Sequence, residues 1–120
     1  MILNYMPLLK LETSLVIPDD KQNQLLMALS KTVAATIGKC EQYVMVVASR
    51  AAFIMSGRPG AAAFVDVRSI GGLSSDVTRK LSNEICKLLT DALGITSDRI
   101  YLNFAEVDAG NWGWNGSTFG

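Results

Sequence analysis

The sequence predicts an α+β domain in which two βαβ units share one four-stranded sheet and both helices cover the same face. Three observations lead there. Apolar residues recur at every fourth position in two stretches, Leu25, Leu29, Val33 and Ile37 in the first and Leu81, Ile85, Leu89 and Leu93 in the second. Each stripe stops at a glycine, Gly38 or Gly94, the residue type that most readily ends a helix. A single offset of 56 residues, the distance from Gly38 to Gly94, also superposes the flanking β-rich stretches: Leu9-Lys10-Leu11-Glu12-Thr13 falls on Val65-Asp66-Val67-Arg68-Ser69, and Val44 and Val46 fall on Ile100 and Leu102.

Taken in order, Leu8 to Val16 alternates loosely and reads as a strand that runs into Ile17-Pro18-Asp19-Asp20, a turn and helix start. In the helix that follows, Lys21, Gln22 and Lys31 lie off the apolar stripe, so the helix is amphipathic. Gln42 to Ala48 is β-rich and apolar and reads as a largely buried strand. Arg50 to Gly60, with Gly57, Pro59 and Gly60, reads as an irregular connection. The second unit repeats this plan. The tail from Val107 to Gly120 mixes glycine and asparagine with aromatics and is expected to form short edge strands or loops that lie on a neighbour.

Composition narrows the function. The 120 residues are 49% apolar and 18% charged, enough for one core. Net charge is zero, which gives no general electrostatic case for nucleic acid or an anionic membrane as partner. No apolar run is long enough for a transmembrane helix, and no basic region precedes an apolar core as in a signal peptide. The expected location is the cytoplasm, or outside the cell by a route without a conventional signal peptide. Without histidine, Ser-His-Asp and Cys-His catalysis and imidazole zinc sites are unavailable. Cys40 and Cys86 form no CxxC; Cys86 reads as a small core residue and Cys40 as a loop thiol.

Pro7 is the first residue with a chemical prospect. It follows a second methionine, and residues 1–6 read as a leader, a start-site artefact or a tag ahead of a single domain at 7–120. With Pro7 as the mature N-terminus its ring nitrogen is a secondary amine, and an amine with an ordinary pKa of about 7.7–8.0, lowered further in an apolar site, can act as a base near neutral pH. With the leader attached the same nitrogen is an amide and has no basicity. The repeat aligns Pro7 with Ala63 and puts it at the start of a sheet edge. The residues Leu8, Val44, Val46, Phe64 and Leu102 exceed what two helices would cover, so the second sheet face is expected to be buried by self-association.

Met6-Pro7, Ile37-Gly38-Lys39, Gln42-Tyr43-Val44, Ser69-Ile70-Gly71, Ser97 to Asn103 and Trp112 to Phe119 occur in an order that resembles the macrophage migration inhibitory factor family of the tautomerase superfamily. The resemblance runs from Pro7 to Gly120. It implies a homotrimer with active sites at the subunit interfaces and keto–enol tautomerisation of phenylpyruvate-like and dopachrome-like compounds, without metal or cofactor. By the same resemblance Pro7 is the catalytic base and Lys39 holds the substrate carboxylate. The backbone of Ile70 contributes to the pocket, Tyr101 and Asn103 enter from the neighbouring subunit, and Trp112, Trp114 and Phe119 form an aromatic wall. The animal proteins carry a CxxC where this chain reads Ala62-Ala63-Phe64-Val65, so thiol oxidoreductase activity does not carry over.

Every role has a structural alternative: Pro7 can open an edge strand, Lys39 can balance a helix dipole, Tyr101 and Asn103 can be interface residues, and the tryptophans can be a packing cluster. Two other functions compete with the tautomerase, a cytokine-like interaction protein with a vestigial pocket and a superfamily isomerase of small unsaturated acids. Nothing in the sequence speaks for a protein receptor. No motif places Arg50, Arg58, Arg68, Arg79 or Arg99 beside the proline, which favours the keto acid over the diacid substrate.

Overall fold

The computed structural model describes residues 6–38 and 40–120. Strand β1 (Leu8–Thr13) leads to helix α1 (Asp19–Ile37) and strand β2 (Met45–Arg50). Strand β3 (Ala63–Ser69), helix α2 (Ser75–Leu93) and strand β4 (Ile100–Glu106) repeat the unit, and a small hairpin, β5 (Gly113–Trp114) and β6 (Ser117–Thr118), follows. Both helices have 19 residues and begin and end 56 positions apart, as do the single 3₁₀ turns Glu41–Tyr43 and Ser97–Arg99 that precede β2 and β4. The repeat is therefore in the backbone as well as in the sequence.

Local chemistry accounts for the helix ends. The Ser74 hydroxyl accepts a hydrogen bond from the Val77 amide at the start of α2, whereas α1 starts after Pro18 with Asp19 and Asp20 facing its positive end. Gly38 and Gly94 sit at φ 86° and 72°, the left-handed conformation that a side chain disfavours, and each amide closes back on the carbonyl four residues earlier.

The sheet order is β2-β1-β3-β4, with β1–β2 and β3–β4 parallel and β1–β3 antiparallel. This corrects the placement of Pro7. Each unit contributes its first strand to the middle, where the two pair antiparallel, and its second strand to an edge. Pro7 thus precedes an interior strand, at a position where its missing N–H costs no ladder bond, and its carbonyl accepts from the Met45 amide at 3.1 Å. Two strand boundaries are also shorter than expected. β1 ends at Thr13, whose hydroxyl donates to the Ala62 carbonyl, and Gln42 and Tyr43 belong to a 3₁₀ turn ahead of β2.

Between sheet and helices lies the core: Leu9 and Leu11 from β1, Val65 and Val67 from β3, and the stripes Leu25, Leu29, Val33, Ile37 and Leu81, Ile85, Leu89. Val44, Val46 and Leu102 pack against this core as well, so they do not belong to the second sheet face. By strand alternation that face carries Leu8, Met45, Val47, Phe64 and Tyr101 among Lys10, Glu12, Asp66, Arg68 and Asn103. Met45 is 62% and Tyr101 68% exposed. The open face is mixed in polarity, where the sequence suggested a plainly apolar one.

Arg99 fixes the connection between the two units. It is buried, and its guanidinium donates to the carbonyls of Met55, Arg58, Pro59 and Ala61 at 2.7–3.3 Å. The irregular stretch predicted between Arg50 and Gly60 is therefore irregular but held.

Candidate active site

The tail hairpin builds one wall of a cavity of about 710 Å3. Asn115 and Gly116 form its two-residue turn with φ of 52° and 82°, the all-positive geometry that suits Asn-Gly and matches strand twist. Trp114 and Phe119 stack across the hairpin with ring centroids 5.9 Å apart and planes 12° from parallel. The Phe119 amide donates to the Trp112 carbonyl, and Gly120 folds against Gly110 so closely that a Cβ there would meet backbone at 2.5 Å. The tail is thus a packed element, and the part of it facing β1 is aromatic.

Pro7, Trp112 and Trp114 line the same cavity. Phe119 does not reach it and braces Trp114 from behind. Ile70 lies just beyond β3, half-buried and outside the lining; its neighbour Ser69 accepts from the Val107 amide at 2.9 Å, which ties the tail to this strand end. Lys39 lies outside the described residues. Tyr101 and Asn103 sit on the far edge strand β4, in register with Phe64 and Asp66, and take no part in this chain's cavity.

Sequence reasoning missed several wall residues. Met6, Leu8, Val44, Met45 and Val107 add apolar surface, while Gln42, Tyr43 and Asn111 add polar groups. The Gln42-Tyr43-Val44 motif could have drawn attention to that side, since it stands directly ahead of the strand paired with β1. Arg68 is the consequential omission. It lines the cavity because antiparallel pairing sets it opposite Leu8, and among the described lining residues it is the one that carries a charge. This overturns the inference that none of the arginines stands near the proline. Its guanidinium also meets Asp66 at 3.4 Å, with the Arg68 side chain 55% exposed.

Such a site offers a largely apolar cavity with an aromatic wall, one cation and whatever the Pro7 nitrogen can do. Among the described residues no group of three or more acidic, cysteine or histidine side chains could hold a metal ion. Neither cysteine takes part: Cys40 is exposed and away from the lining, and burial pushes the Cys86 thiol up, partly offset by a hydrogen bond with Ser97.

The family model described as macrophage migration inhibitory factor matches residues 6–120. The chain belongs to the macrophage migration inhibitory factor family. It is 40% identical over 96 residues to macrophage migration inhibitory factor of Meriones unguiculatus, a match covering 79% of this chain and 84% of that protein. It is 32% identical over 117 residues to the homolog of Brugia malayi, covering 96% and 100%. The fold matches the crystal structure of the macrophage migration inhibitory factor-like protein from Entamoeba histolytica with a TM-score of 0.91 at 32% identity, over 95% of this chain and 99% of that one. The homologue from Prochlorococcus marinus matches with a TM-score of 0.90 at 39% identity, over 94% and 99%. The mixed four-stranded sheet backed by two helices is thus this family's architecture. Among the described residues no helix is long and apolar enough to cross a membrane.

Proposed function

We propose that the protein is a cofactor-free keto–enol tautomerase of phenylpyruvate-like and dopachrome-like compounds, with Pro7 as its base once residues 1–6 are absent. The observation that carries this reading is that Pro7 lines a cavity whose wall includes Trp112 and Trp114. The Pro7 amine takes a proton from the carbon next to the substrate carbonyl. The electron pair left behind moves to the carbonyl oxygen, and that oxygen receives the proton that the Pro7 ammonium gives up, directly or through water, so the enol forms with no net change in atoms or charge. Desolvation by the apolar wall keeps the amine unprotonated near neutral pH. In this reading Lys39 holds the substrate carboxylate and the backbone of Ile70 borders the pocket. Family membership supports the isomerase class, and the substrate is read from the aromatic wall of the cavity.

The active assembly is a homotrimer in this proposal. Tyr101 and Asn103 are exposed on an edge strand and outside the cavity of their own chain, the arrangement expected of residues that complete a neighbour's site. Mass spectrometry of the purified protein, followed by an enol–keto assay with phenylpyruvate, tests the base. Protein beginning at Pro7 should be active and Pro7→Gly should lose most of the rate; equal activity with residues 1–6 attached refutes a proline base. Arg68 lends weight to a second reading, isomerisation of small unsaturated acids bearing two carboxylates, because that chemistry needs a second cation at the site.

A further inference from the structure

Arg68 differs from every other residue of the cavity wall. On the open sheet face, Met45, Leu8 and Arg68 form one row across β2, β1 and β3, since Leu8 is in register with both of the others. All three line the cavity, so the row is a strip of apolar floor that ends at a guanidinium. Arg68 is not consumed by a structural role. Its contact with Asp66 is one 3.4 Å approach with the arginine half-exposed, an ion pair that contributes little and is readily exchanged. Of the five N–H donors that a guanidinium carries, the others have no acceptor among the described residues. Arg99 shows the contrast, with three of its nitrogens donating to four carbonyls.

A planar fork of unused donors at the end of an apolar strip matches one chemical group well. That group is a carboxylate on a flat body, which can lie along Leu8 and Met45 and be gripped at two oxygens. We propose that Arg68 forms a second anion subsite, and that the cavity selects flat acids carrying an additional carboxylate remote from the reacting carbon. Such a ligand displaces Asp66 from the guanidinium. The proposal rests on the cavity being the substrate site, and it names the class of substrate that site favours.

Binding separates this proposal from the base chemistry, because an unreactive ligand needs no proline amine. The probe is 4-carboxyphenylacetate, compared with phenylacetate, each titrated against protein beginning at Pro7. The signal is the fluorescence of Trp112 and Trp114, which line the same cavity. Wild-type protein should bind the diacid about tenfold more tightly than the monoacid, as a charge-assisted bidentate contact implies. Arg68→Met should abolish that preference, the diacid losing far more affinity than phenylacetate. Arg68→Lys should keep part of it, since the charge remains and the fork is lost. An equal diacid preference in wild type and Arg68→Met overturns the subsite while leaving the tautomerase reading intact. Failure of both acids to bind wild type overturns the subsite together with the site it depends on. If Pro7→Gly retains full turnover while the Arg68 dependence holds, the base assignment alone is wrong. The half-exposed side chain makes the variants safe to fold, and thermal unfolding of each provides the control.

Discussion

Replacing Arg99 by methionine tests how a buried cation without a counter-ion is sustained. Among the described residues no carboxylate lies within salt-bridge distance of Arg99; its charge is met by the carbonyls of Met55, Arg58, Pro59 and Ala61. Arg58 and Pro59 are exposed, so water can replace the guanidinium there, while Met55 and Ala61 are half-buried and rehydrate poorly. Two charge-assisted bonds at about 1.5–3 kcal/mol each put the gross loss at about 3–6 kcal/mol. Relief of the desolvation cost of an 8%-exposed guanidinium returns a part of this, leaving a net loss of about 2–3 kcal/mol. For a chain of this length each kcal/mol shifts Tm by about 4 °C, so Arg99→Met should melt about 8–12 °C lower. Circular dichroism melts at matched protein concentration measure this, and limited proteolysis should show earlier cleavage between Met55 and Ala61. A Tm within 1 °C of wild type would show that burying the charge costs as much as its hydrogen bonds return, and the argument would fail.

Three further outcomes follow from other parts of the molecule. Leu81 is fully buried between helix and sheet, so Leu81→Ala should cost about 3–4 kcal/mol in urea unfolding, more than the same change at a half-buried position such as Leu88. Gly116→Ala puts a side chain at φ 82° in the hairpin turn and should cost about 1–2 kcal/mol, with altered tryptophan fluorescence as Trp114 and Phe119 lose their stacking. Cys86 has a folded pKa above its ordinary value of 9.0, so the native state holds that proton more tightly than the unfolded chain does. Its contribution to stability is therefore present below about pH 9 and lost at higher pH, and iodoacetamide should label exposed Cys40 before Cys86, as peptide mapping would show.

The fold was legible because both levels of pattern agreed. The fourfold stripes and the terminal glycines demanded helices of one length, and the offset between them demanded two copies of one unit. What a repeat does not contain is the way its copies face each other. Parallel and antiparallel pairing of β1 with β3 both preserve the alternation of Leu9 and Leu11 with Val65 and Val67. The choice decides whether Arg68 or a residue at the other end of β3 stands beside Leu8. That is why Pro7 was assigned to a sheet edge and why Arg68 escaped notice. The same limit affected the open face: Val46 and Leu102 are as apolar as Leu8 and Phe64, and only strand register tells which side they serve. Trp112 and Trp114 line the cavity, whereas Phe119, three residues past a tight Asn-Gly turn, stacks on its partner ring and stays outside the lining.

A chain made of two like halves also makes two like corners, and the two are finished differently. Shifting Met6, Pro7 and Tyr43 by the repeat gives Ala62, Ala63 and Arg99, the same three backbone positions at the opposite end of the sheet. At the first corner Tyr43 stands back as wall and leaves a chamber beside Pro7. At the second, Arg99 reaches across to the Ala61 carbonyl and its guanidinium occupies the space beneath the connecting loop. The same backbone position thus serves as cavity wall at one end of the sheet and as a tie to the connecting loop at the other.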